Sequence, residues 1–99
     1  REGAAARRTI HKCDVAIGGE VTHWLPADAK VVHAAMQNGI PCIWVELEVY
    51  NRRRAHRKLR VFGTGEAIPT GVSHVGTFFD GPFVWHVYEQ REEAVVERD

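Results

Sequence analysis

Between residues 9 and 89 apolar and polar positions alternate with a period of two, in short runs rich in Val, Ile, Phe, Trp and Tyr. Successive side chains on a strand face opposite sides, so this period predicts half-buried β-strands. Glycine-bearing dipeptides separate the runs: Gly18-Gly19 between 9–17 and 20–25, Asn38-Gly39 between 30–37 and 40–50, and Asp80-Gly81 between 74–79 and 82–89. Each pair can take the positive φ angles of the primed turns that close two-residue hairpins. A further strand at 57–62 follows a basic loop at 51–56. The expectation is an all-β fold, a small antiparallel barrel or sandwich of about seven strands built from consecutive hairpins. The segment 27–36, ADAKVVHAAM, is contested: it is alanine-rich, follows Pro26 and ends at Asn38-Gly39, a reasonable helix stop.

Hairpin turns fix cross-strand partners, so faces follow from the turns. Asn38-Gly39 sets Val32 opposite Val45, Ala34 opposite Ile43, and His33 opposite Trp44. For the next strand, charge and hydrophobic pattern agree on Glu48 against Lys58, Glu46 against Arg60, Val45 against Val61 and Leu47 against Leu59. One face then carries a row of His33, Trp44 and Phe62 flanked by Glu46 and Arg60. Two aromatics beside an imidazole and a guanidinium suit a planar, anionic ligand of the nucleotide type. Asp80-Gly81 sets Phe78 against Phe83, Gly76 against Trp85 and His74 against Val87, a core face on which an aromatic covers a bare glycine. The reverse face, with Val75, Thr77, Val84, His86 and Tyr88, is also apolar enough to need a cover. Barrel closure or a homodimer would provide one.

The length of 99 residues makes one domain, expected at 9–89, with a flexible arm at 1–8 and a charged tail at 90–99. Within that tail, 94–96 offers a short C-terminal helical turn. No apolar run is long enough for a bilayer-spanning helix, so no membrane partner is expected, and with no secretory leader in view the expected compartment is cytoplasmic. Thirteen Lys and Arg balance thirteen Asp and Glu, which removes a global attraction to nucleic acid. The balance is uneven along the chain. Residues 52–60 hold six basic side chains and no acid, whereas 89–99 hold five acids and two arginines. Arg52, Arg53, Arg54 and Arg57 therefore form a candidate basic tip for nucleic-acid phosphates or an acidic protein, with the tail as an internal partner.

The motifs TIHKCDV (9–15), LPADAKVVHAAMQNGIPCIW (25–44), FGTGEAIP (62–69) and HVGTFFDGPFVWHVYE (74–89) resemble a family of small phage and bacterial proteins known only as a domain of unknown function. The resemblance spans about residues 8–89. It implies a strand at 30–36, where relatives alternate β-branched residues, and it implies no activity, cofactor or catalytic residue. Cys13 departs from an aromatic usual in the family, and Glu66 from a His that often follows GTG there.

No residue set points to catalysis, a cofactor or a metal. The six histidines and two cysteines lack ligand-pair spacing. Ser73 and His74, adjacent on a strand, point to opposite faces. Glu46 and Glu48 share a face, but each has a basic partner that keeps it ionised. The Gly63-Thr64-Gly65 loop has no helix after it to hold a phosphate. The function expected is a non-catalytic binding module, a phage or phage-related accessory protein that engages a protein partner through a sheet face and an arginine-rich tip. The alternatives are a nucleotide-like ligand on His33, Trp44, Phe62 and Arg60, or nucleic-acid binding through Arg52–Arg57.

Overall fold

The computed structural model describes residues 7–91 and 95–96. Its strands are β1 (Arg8–Asp14), β2 (Glu20–Pro26), β3 (Lys30–Gln37), β4 (Ile40–Glu48), β5 (Arg53–Gly63), β6 (Ser73–Asp80), β7 (Phe83–Arg91) and a two-residue β8 (Val95–Val96). They form a three-stranded sheet, β1-β4-β3, and a five-stranded sheet, β2-β5-β7-β6, in which β8 also pairs with β5. Pairing between these strands is antiparallel throughout. The sheets stack as a sandwich and do not close into a barrel. The all-β expectation therefore holds, with no helix among the described residues.

The contested segment is strand β3. Its alanines answer a packing constraint: a Cβ placed on Gly76 of β6 would lie 3.1 Å from the Cβ of Ala34. Two small residues let β3 and β6 approach closely where the sheets meet. The β3–β4 turn is the expected one, with Asn38 at φ 53° and Gly39 at φ 80°. In the β6–β7 hairpin Asp80 pairs with Phe83, so the turn residues are Gly81-Pro82, with Gly81 at φ 59°. The pairing moves by two positions, which preserves the faces. Trp85 consequently lies opposite Phe78, and the glycine it covers is Gly63, whose Cβ would sit 3.2 Å from the indole.

Three expectations are corrected. Gly18-Gly19 is not a hairpin turn, because β1 and β2 belong to different sheets and the chain crosses between them there. Strands β4 and β5 are not neighbours either. β4 lies between β1 and β3, and β5 between β2 and β7. The charges that suggested their pairing find other partners: Glu46 bonds Arg8 at 3.3 Å, and Lys58 approaches Glu20 at 3.9 Å. Finally, Val31 rather than Val32 faces Val45, because a bulge at Val32 shifts the register and leaves Val32 44% exposed.

The core gathers Ala34, Ile43, Val45 and Leu47 from one sheet against Leu59, Val61, Phe78 and Val87 from the other. Their alternation with outward polar residues places about half of each strand inside. Arg57 is also inside, only 4% exposed. Its guanidinium donates to both carboxylate oxygens of Glu89 on β7, to the Ala29 carbonyl at 2.8 Å and to the Pro26 carbonyl at 3.5 Å. It thus satisfies the backbone of the corner by which the chain leaves β2 for β3. The tail residue Glu89 does meet a basic residue within the molecule, in the interior and not at a tip. The tail does not form the helical turn considered for 94–96: Val95 and Val96 pair with Arg54 and Arg53 of β5. Ala94 and the acids Glu92, Glu93, Glu97 and Asp99 lie outside the described residues, as do residues 1–6 of the arm expected at 1–8; Arg8, the last residue of that arm, begins β1.

Removing one member of the buried pair strands the other charge, so Arg57→Ala is expected to cost about 3–5 kcal/mol. The double variant Arg57→Met/Glu89→Met should recover part of that loss in urea unfolding. A double variant no more stable than the single would assign the cost to the orphaned carbonyls of Pro26 and Ala29. Burial first, then the neighbouring Asp14, pushes the Cys13 thiol up from its ordinary value. Its thiolate fraction at neutral pH is correspondingly small, and in a Cys42→Ser variant, which leaves Cys13 as the one thiol, reaction with a thiol reagent should be no faster than the domain opens; a fast phase there would show Cys13 to be reactive in the folded state.

Candidate functional site

The residues expected to form one ligand face are divided between two. His33 and Trp44 meet on the outer face of the three-stranded sheet, ring centroids 5.4 Å apart, and Glu46 shares that face, held by Arg8. Arg60 and Phe62 lie on the outer face of the other sheet, with the guanidinium carbon 4.9 Å from the ring centroid. No single planar ligand spans these outward faces of opposite sheets. Arg52 precedes β5, and Arg53 and Arg54 open it, with the first two exposed and Arg54 half-buried; the connection runs between sheets and is not a hairpin tip. Arg57 is enclosed and offers nothing to a partner.

The structure assembles a different group. Because Arg57, Leu59 and Val61 point inward, Lys58, Arg60 and Phe62 point outward, and the same alternation sends His86 and Tyr88 of β7 outward beside them. On β6 a bulge at Val75 changes the alternation. Val75 packs against the core, and His74 joins Thr77 on the outer face. Cross-strand pairs then align Glu20, Arg60, Tyr88 and His74 in one row, and Phe62, His86 and Thr77 in the next.

Ring contacts and hydrogen bonds lock the rows together. Tyr88 meets His74 at 5.3 Å and Phe62 at 5.6 Å between centroids, edge to face in both cases. Phe62 is only 5% exposed beneath its neighbours. The Thr77 hydroxyl lies 2.9 Å from His74 Nε2 and 3.2 Å from His86 Nδ1, and His86 Nε2 lies 2.9 Å from the Thr64 hydroxyl. Thr64 itself donates to the Val84 carbonyl at 3.4 Å. Each hydroxyl has one proton, so these contacts order the chain. With Thr64 donating to Val84, His86 donates from Nε2, Thr77 donates to His86 Nδ1, and His74 donates from Nε2 to Thr77. Every polar atom named is satisfied within the face, so the chain fixes how the two imidazoles are oriented before anything meets them.

The His74–Thr77 distance also fits a base beside a nucleophile, but in this order the imidazole donates, and a base needs a free acceptor nitrogen. A cleft of about 300 Å³ adjoins the face, lined by Gly18, Gly19, Glu20, Arg60, Phe62 and Glu66. Its charges have both signs, an arrangement suited to polar side chains more than to a phosphate.

Sequence reasoning placed Thr77, His86 and Tyr88 on one face and missed His74, Thr64 and the connection to Arg60. The available signal was Gly76 inside a strand run, since an interior glycine often marks a bulge.

A family model described as a domain of unknown function, DUF7352, matches residues 6–98. At that level it agrees with the resemblance drawn from the motifs. No curated protein and no solved structure matches.

The hydrogen-bond order predicts that neutral His74 and His86 are both Nε2–H tautomers, which long-range proton–nitrogen NMR reads directly. An Nδ1–H signal for His86 would break the order. Thr77→Val should shift both imidazoles while changing stability by about 1 kcal/mol.

Proposed function

We propose that this chain, which belongs to the DUF7352 family, is a non-catalytic binding module that engages a protein partner through the outer face of its five-stranded sheet. The observation that carries this reading is the double row Arg60, Tyr88, His74 and Phe62, His86, Thr77, ordered by its own contacts before any partner arrives. Tyr, Phe and Arg are the residue types that protein interfaces favour, and pre-ordering them lowers the entropy lost on binding. A face of this kind is broad and shallow, which suits a protein surface better than a small molecule. In the same reading it is an accessory protein of phage or phage-related origin, which the motif resemblance implies, acting in the cytoplasm. The described residues contain no helix long and apolar enough to cross a membrane.

The two other readings have less geometric support. A nucleotide-like ligand would have to choose between the His33–Trp44 pair and the Arg60–Phe62 pair. Nucleic-acid binding keeps Arg52, Arg53 and Arg54 but loses Arg57 to the interior and Arg60 to the Phe62 ring.

Affinity capture with four forms of the domain tests the proposal. A partner retained by the native chain and by His33→Ala, whose change lies on the opposite sheet, should be lost from Arg60→Ala/His74→Ala and from Tyr88→Ala. Central residues of an interface cost about 2 kcal/mol or more on truncation, so each loss should exceed tenfold in Kd. Equal retention by all forms rejects the assignment of the face. Retention abolished by salt and by Arg52→Ala/Arg53→Ala would favour nucleic acid instead.

A further inference from the structure

Strand β1 pairs with β4 on one side only and forms an edge of its sheet. The Val49 N–H donates to the Arg7 carbonyl and the Val15 N–H to the Pro41 carbonyl. Odd-numbered residues of β1 therefore turn their backbone groups toward β4, and Arg8, Ile10, Lys12 and Asp14 turn theirs away. The Asp14 carbonyl accepts a bond from His23 at 2.9 Å. The outward backbone groups of Ile10 and Lys12 meet no partner among the described residues. Ile10 is 55% exposed beside them, and neither a proline nor a bulge blunts the strand; its defence is the charge on Arg8, Lys12 and Asp14, which opposes indiscriminate pairing and admits only a strand of matching pattern.

We propose that β1 pairs with β1 of a second copy of this chain, antiparallel about a two-fold axis at His11, joining two three-stranded sheets into one of six strands. The charge pattern selects the partner and the register. In this register Arg8 faces Asp14 of the second copy on each side of the axis, and Ile10 lies along the aliphatic stem of Lys12. Sliding by two residues in one direction sets Arg8 against Lys12, and in the other Lys12 against Lys12; both oppose like charges. Sliding by one residue turns bonded groups toward unbonded ones. Arg8 is already held in place by Glu46 and Asp28, each at 3.3 Å, and the Asp14 carboxylate is exposed to receive it. Two rungs repeat by symmetry, as an isologous contact requires. The dimer leaves the outer faces of both five-stranded sheets open, and it stands whether or not those faces bind a protein.

Sedimentation of the native chain over a range of concentrations should give a monomer–dimer equilibrium. Asp14→Arg sets Arg against Arg at both outer rungs, and Arg8→Asp sets Asp against Asp; each should weaken the dimer by about tenfold or more. An equimolar mixture of the two variants restores both opposite-charge rungs and should recover a heterodimer of native affinity. Amide exchange at Ile10 and Lys12 in the native chain should slow as concentration rises, which tests the edge without a substitution. A monomer at every concentration overturns the proposal, as does a dimer indifferent to Asp14→Arg or amides at Ile10 and Lys12 whose exchange ignores concentration.

Discussion

The guanidinium of Arg57 sits inside the sandwich, against the Glu89 carboxylate and the carbonyls of Pro26 and Ala29. A buried cation is tolerated only where its donors are matched, and here they are matched by a neighbouring strand and by the corner that carries the chain from one sheet to the other. With Arg57 and Glu89 both turned inward, the alternation along β5 and β7 has no freedom left. Arg60, Phe62, His86 and Tyr88 must face outward. A pair that belongs to the interior thereby decides which side chains the exterior offers.

Two bulges adjust that scheme where the sheets come closest. At Val32 on β3 and Val75 on β6 one extra residue is accommodated, on either side of the Ala34–Gly76 contact. The first exchanges Val32 for Val31 in the core. The second exchanges His74 for Val75, and so brings a second imidazole onto the outer face within reach of Thr77. An uninterrupted β6 would bury His74 and expose Val75, leaving the hydrogen-bond chain from Thr64 to His74 without its end. The irregularity that improves the packing of the core also completes the surface.

The outer face of the five-stranded sheet is proposed as a binding surface because of how it is ordered. Its polar atoms satisfy each other, its aromatic rings are clamped edge to face, and its imidazoles are held in one orientation by the hydroxyls of Thr64 and Thr77. Fixed geometry of this kind favours recognition of one complementary surface over another. The edge strand β1 belongs to the other sheet, so the proposed self-pairing there and the proposed partner binding on the five-stranded sheet would not compete for residues.

Much of the fold is legible locally. The period of two marks the strands, Asn38-Gly39 specifies its turn, and the inward sets Ile43, Val45, Leu47 and Leu59, Val61 follow from alternation alone, because adjacent side chains must part company on a strand. The resemblance to relatives resolved 27–36, where alanine propensity and strand context disagree. What neighbours what is a different matter. Glu46 and Glu48 suit Lys58 and Arg60 in sequence, yet Glu46 takes Arg8 and Lys58 takes Glu20, because charges on short strands are interchangeable and many registers satisfy them equally. The divided fate of His33 and Trp44 against Arg60 and Phe62 follows from that degeneracy. The strands, the Asn38-Gly39 turn and the inward faces of β4 and β5 were determined by the sequence; sheet membership, the other turns, the faces changed by the two bulges and the burial of Arg57 were decided only by how the two sheets fit together, since each depends on volumes and carbonyls supplied by residues far away in the chain.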